Sequence, residues 1–188
     1  MSNRIIVTDY NPEWPVIFEQ LRAKIWPAIS DLAMAMEHVG STSVPGLAAK
    51  PVIDVDIIIE SKEALGTAIK TLAMLGYQHR GNLGIEGRDS FSVPAGSVKH
   101  NLYVCIKDCL AVRNHLALRD RLRKDPEARK KYGDLKKDLA QRHPDSIDLY
   151  VEGKTAFILS MLEENGIESA ELEKVRQSNL APQNKVGR

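Results

Sequence analysis

The sequence predicts an α/β (α+β) fold, a small mixed sheet flanked by helices with a helical C-terminal third, on three observations. The run Val52-Ile53-Asp54-Val55-Asp56-Ile57-Ile58-Ile59 is β-branched and apolar on both faces apart from two aspartates, as in a central strand. Ahead of it, residues 12–30 repeat apolar side chains at three- and four-residue steps, the period of a helix. Beyond residue 110 the chain turns to long helical patterns, interrupted near Pro126 and stopped at Asn165-Gly166.

Asn11 is a suitable N-cap for the first helix. Pro12 is a suitable first helical residue, because its missing N–H would have no partner there. Trp14, Ile17, Phe18, Leu21, Ile25 and Ile29 form its apolar face, and Pro27 is expected to disturb the last turn and end it early. A strand over 33–39 closes on Gly40-Ser41-Thr42-Ser43, and Val44-Pro45-Gly46-Leu47 reads as a loop or a single helical turn. Pro51 introduces the central strand. Ser61 caps a helix over 61–75 with Leu65, Ile69 and Leu72 on one stripe, and Gly76 stands where a left-handed residue ends a helix. The Gly-rich stretch 81–101 predicts short strands joined by turns, and 100–106 a further strand. Helices are expected over 110–124, 126–141 and 146–164, with a shorter one over 167–177.

The 188 residues suit one domain over 1–176, with a helical subdomain at about 110–164 and a flexible tail over 177–188. With 43% hydrophobic and 27% charged residues the chain has the balance of a soluble globular protein. A formal net charge of +1 gives no global field toward nucleic acid or anionic membrane. No apolar run approaches the ~20 residues of a membrane span, and a cytoplasmic location is expected. Cys105 and Cys109 make no disulfide framework. With His115 they lack the spacing and the fourth ligand of a zinc site, so they read as packed or surface thiols.

Asp54 and Asp56 stand two residues apart on a strand, so both side chains point to one face, ~6–7 Å apart. Each buried carboxylate without a partner costs on the order of several kcal/mol. A divalent cation offsets that cost, since Mg²⁺ combines one or two carboxylates with substrate phosphates. The pair also fits loop capping or ion pairing with an arginine such as Arg88. Upstream, the small residues Gly40 and Ser41 end a strand and let backbone N–H groups approach a phosphate closely.

An apolar residue, Gly-Ser, about twelve intervening residues and then Asp-apolar-Asp-apolar resembles the signature of the DNA polymerase β-like nucleotidyltransferase superfamily. More closely, the segment from His38 through Gly40, Ser41, Lys50 and Pro51 to Ile57 looks like the hallmark of the GrpB family, placed in that superfamily by motif and fold. The pattern continues in His100-Asn101-Leu102-Tyr103-Val104, in Arg119-Asp120 with Arg123, and in Tyr132 with Leu135-Lys136. It therefore covers most of residues 10–160.

The resemblance implies a nucleotidyltransferase-like sheet on which Gly40 and Ser41 bind phosphate and Asp54 and Asp56 bind Mg²⁺ (or Mn²⁺). A third carboxylate belongs on a neighbouring strand, yet 100–106 contains no Asp or Glu. His100 is expected to replace it as ligand or proton acceptor; the alternative is a histidine bonded at a strand end. Lys50, Arg88, Arg119 and Arg123 are the cations expected at phosphates, with arginine favoured by its bidentate fork. Tyr132 and Lys136 share a helix face that either contacts a base and phosphate or packs the subdomain onto the sheet. His38, two residues before the turn, is a weaker candidate for the same side. The activity implied is metal-dependent transfer of a nucleotidyl group from an NTP to an acceptor that the sequence does not specify. The alternative is a non-catalytic module for a nucleotide or a coenzyme A-related metabolite, since some GrpB-like domains are fused to a dephospho-coenzyme A kinase. Either way the partner is a nucleotide or another phosphorylated small molecule. Nucleic acid is disfavoured by the near-neutral charge and 5% aromatic content, and no pattern fixes an oligomeric state.

Overall fold

Asn11 Oδ1 accepts the Glu13 N–H at 2.9 Å, and the first helix, α1, runs Glu13–Ile29 in the computed structural model, which describes residues 4–180. Trp14, Phe18, Leu21, Ile25 and Ile29 are its buried stripe. Pro27 does not end it early. Its ring removes one N–H near the terminus, while Ser30 still bonds the Trp26 carbonyl at 2.9 Å.

Then follow β1 (Ala33–Val39), a 3₁₀ turn (Ser41–Ser43), β2 (Ile53–Ile59), α2 (Lys62–Met74), β3 (Gln78–His79), β4 (Arg88–Ser92) and β5 (His100–Ile106). The helical third consists of α3 (Leu110–Lys124), α4 (Pro126–Arg142), α5 (Ile147–Glu164) and α6 (Ser169–Leu180). Helix α6 reaches Leu180, so the expected tail is helical at its start, and residues 181–188 lie outside the described residues. Gly76 takes a φ of 86° just past α2, the left-handed conformation that ends it.

The sheet is five-stranded and mixed, in the order β1-β2-β5-β4-β3. β2 pairs antiparallel with β1 and parallel with β5, and β4 runs antiparallel to both β5 and β3. The alternation along β2 separates two environments. Ile53, Val55, Ile57 and Ile59 join Leu102 and Val104 under α1 and α2 in the main core. Asp54, Asp56 and Ile58 face the other way, where Ile58 packs with Cys105 of β5 and Val112 of α3. A second core of helices α3–α6 takes in Val44 and Leu47 from the loop after the 3₁₀ turn. That anchorage fixes the Gly40-Ser41 turn between the sheet and the helical third.

Candidate functional site

Gly40 has φ 67°, and a Cβ built on it would stand 2.1 Å from Asp54 Oδ2. Only glycine permits both the backbone angle and the close approach of the carboxylate. The turn is knotted by Ser43 Oγ donating to the Gly40 carbonyl at 2.6 Å. Arg123 grips the Ser43 carbonyl with two nitrogens, at 2.8 and 3.1 Å. Ser41 Oγ is left to accept the Lys136 ammonium at 2.8 Å.

Asp56 is fully buried. Its Oδ2 takes a hydrogen bond from His115 Nδ1 at 2.7 Å, and its Oδ1 is buried with no hydrogen-bond partner. Burial pulls the His115 imidazole down, but the Asp56 charge and bond more than offset it and the ring is raised above its ordinary pKa. Asp54, half-buried, accepts Asn101 Nδ2 on Oδ1 at 2.7 Å. Burial raises its pKa against the opposing pull of Asn101, His115 and Lys154. One orphaned oxygen on Asp56 and an Asp54 oxygen seated against bare Gly40 backbone leave a place that a cation fits. The donor set is two carboxylates; among the described residues no three His, Cys, Asp or Glu side chains converge on a metal position. Two carboxylates suit Mg²⁺ or Mn²⁺ completed by phosphate oxygens and water.

Three lysines gather on the turn side of the pair. Lys136, almost wholly buried, faces the Tyr132 ring at 4.5 Å, and burial followed by the Lys154 charge drives its pKa well down. Lys50 and Lys154 lie against one ring, Tyr150, at 5.6 and 5.1 Å. Burial lowers Lys50, with Asp54 opposing, and lowers Lys154 to about 8 with help from Lys50. No described carboxylate forms an ion pair with any of the three, and only Asp54 offsets them electrostatically. Aromatic faces hold them instead. The local surplus is positive, and it borders Ser41.

The structure brings Gly40, Ser41, Asp54, Asp56 and Lys50 to this one place. Arg88 lies on the same sheet face, two strands away, with its guanidinium 4.4 Å from the Tyr103 ring. His100 is not brought there. Register with Ile53 puts it on the core face, where Nε2 bonds the Tyr77 hydroxyl at 2.9 Å and Nδ1 the Val98 carbonyl at 2.8 Å. Asn101, one residue on, occupies the aspartate side. Arg119 and Arg123 serve the scaffold: Arg119 bonds Glu37 at 2.7 Å, the His38 carbonyl at 3.2 Å and Asp120 at 2.8 Å. His38 is a core residue, stacked on Phe18 and bonded to Thr42 Oγ1 at 3.0 Å.

Sequence reasoning missed Asn101, His115 as a partner of Asp56, Lys154, and Glu37, which pairs with Asp56 across β1 and β2. The alternation within β1 could have placed Glu37 on that face. Nothing local marks His115 or Lys154. The cysteines are free, Cys105 buried and Cys109 half-buried at the start of α3.

The fold resembles that of the nucleotidyltransferases. The Cid1 poly(U) polymerase with Mg 3′-dATP bound superposes with a TM-score of 0.51 at 15% identity, over 81% of this chain and 49% of that one. The chain belongs to the GrpB family, whose model, described as GrpB protein, matches residues 4–164. The crystal structure of conserved protein GrpB from Enterococcus faecalis shares 36% identity and a TM-score of 0.76, over 90% of this chain and 98% of that one. The UPF0157 protein YqkA of Bacillus subtilis (strain 168) is 36% identical over 157 residues, 84% of this chain but 46% of that protein. The chain thus spans less than half the length of that relative. No helix among the described residues is long and apolar enough to cross a membrane.

Proposed function

We propose that this chain is a metal-dependent nucleotidyltransferase that moves a nucleotidyl group from an NTP to a small acceptor. One observation carries the reading: a surplus of lysines, Lys136 buried and Lys50 and Lys154 half-buried, meets a paired-carboxylate site across the Gly40-Ser41 turn. Lys136, Lys50 and Lys154 would hold the polyphosphate, with the Ser41 oxygen accepting from Lys136 and its O–H left to donate to a phosphate oxygen. Asp54 and Asp56 would hold Mg²⁺ or Mn²⁺, held apart by the strand and steadied by Asn101 and His115. When bound, the metal supplies Lewis-acid polarisation and neutralises charge developing on phosphate oxygens.

The test is calorimetric titration of ATP, GTP, CTP and UTP, with and without Mg²⁺, into the wild type and the double variant Asp54→Asn/Asp56→Asn. Metal-dependent binding present only in the wild type is expected; equal binding by both proteins would refute the assignment.

A second reading has its own support. On β5, the positions facing Asp54 and Asp56 are Asn101 and Tyr103, and neither is an acid. A site that binds a nucleotide or a coenzyme A-related metabolite without turnover would need no third carboxylate. Metal-dependent binding with no pyrophosphate released in an acceptor screen would select it.

A further inference from the structure

A wide cleft of about 1230 Å³ opens on the other side of the aspartates from the lysines, between β4, β5 and the helices α3 and α6. Arg88, Asn101, Tyr103, Asn114 and His115 line its wall. Arg88 is held there by the Tyr103 ring, 4.4 Å from its guanidinium carbon, while its Nε–H is buried and has no hydrogen-bond partner. Of the carboxylates near it, Asp89, Glu171 and Asp56 have other partners. Asp89 points to the opposite sheet face and bonds His79 at 2.6 Å, and Glu171 is paired with Arg113. Asp56 is held by His115. No ion pair among the described residues includes Arg88.

We propose that Arg88 is the anion-recognition residue of this cleft, and that the acceptor is a small molecule bearing a carboxylate or phosphate group. The acceptor role rests on the nucleotidyl-transfer reading; the anion site itself does not. A buried guanidinium edge with an unused donor is destabilising until an acceptor atom fills it, and an oxyanion in a fork supplies one. The aromatic face holds the fork in plane, so little side-chain freedom is lost on binding. Strand spacing puts β4 about 10 Å from β2, one intervening strand away. Two cationic stations therefore flank the carboxylates. The lysines at the Ser41 turn suit the polyphosphate of the donor, and Arg88 suits a second anion approaching from the cleft. A neutral acceptor would leave the Arg88 charge and its Nε–H unanswered.

The experiment follows the Arg88 Nε–H resonance in ¹⁵N-labelled full-length protein, without metal or nucleotide, during titrations with inorganic phosphate and with acetate at constant ionic strength. Saturable displacement by at least one of them is expected, and the tighter binder assigns phosphate or carboxylate as the acceptor group. The β4 amides should follow the same isotherm, with Arg88→Gln weakening it roughly ten- to a hundredfold. Should Arg88→Gln fail to fold, Arg88→Lys keeps the charge without the fork and should also weaken binding. The displacement should persist in Lys136→Met; its loss there would locate the anion at the Ser41 turn and overturn the proposal. No displacement by either probe, or an equal one with sodium chloride, would also overturn it. Since neither metal nor NTP is present, the result is independent of the Asp54/Asp56 titration, and each proposal can fail alone.

Discussion

The two faces of β2 are built on opposite principles. Toward α1 and α2, Ile53, Val55, Ile57 and Ile59 lie in a dry core with Leu72, Leu102 and Val104, all with 2% exposure or less. Toward the helical third, the same strand presents two carboxylates, an oxygen without a partner, and lysines held by aromatic rings in place of acids. One face gains stability from burying apolar area. The other holds polar groups, among them the buried Asp56 and Lys136, that protein only partly satisfies. Such under-satisfaction is what a site prepared for an ionic ligand requires.

The largest effect should come from the dry face. Leu102→Ala removes a fully buried side chain and should destabilise by ~2–5 kcal/mol in denaturant unfolding. A loss below ~1 kcal/mol would mean that this core is not where stability resides.

His38 tests the same face from its polar side. Stacked on Phe18, it has its pKa lowered to about 4, chiefly by burial and then by Arg123 and Arg119. The folded value lies below the unfolded value of 6.5. As pH falls, the unfolded chain therefore takes up the proton first. His38's contribution is complete above about pH 6.5 and is lost progressively toward pH 4, by up to about 3 kcal/mol. Unfolding curves across that window should show the slope, and His38→Gln should flatten it. An unchanged slope in the variant would place the acid sensitivity on other groups.

The sequence announced the two faces unequally. The Asp54/Asp56 pair was legible because alternation along a strand is local, and Gly40 because small residues end the preceding strand; that its lack of a Cβ makes room for Asp54 came only with the structure. The partners of those residues were not legible, since each depends on register or on helix docking. His100 and Asn101 are adjacent, and only the parallel pairing of Ile53 with His100 decides that Asn101 faces the acids. Glu37 required the antiparallel pairing with Asp56. Arg119 and Arg123 do share a helix face, as their spacing predicts. That face meets β1 and the Ser43 carbonyl, so their donors go to backbone and Glu37. Lys154 reaches Asp54 only because α5 packs beside α4, a contact between segments far apart in sequence.

The smallest stability effect should be on the charged face, at a residue as buried as any in the core. Lys136 is 2% exposed, yet it bonds only Ser41 Oγ and faces Tyr132, with no carboxylate to neutralise it. Replacing a buried charge with an apolar side chain of similar length often leaves stability unchanged or raises it, here by up to ~2 kcal/mol for Lys136→Met. The same change should weaken NTP binding roughly tenfold or more, because a charge-assisted bond to phosphate is lost. Lys154 gives an independent reading of the same cluster. Held at about 8 by burial and Lys50, it should gain a proton when a polyphosphate arrives, since added negative charge raises an ammonium pKa. Near pH 8, binding enthalpies should therefore vary with the ionisation heat of the buffer, in the direction of proton uptake. If Lys136→Met were as destabilising as Leu102→Ala while NTP affinity stayed unchanged, the lysines would be scaffold. The contrast between the two faces would then be one of packing style rather than of function.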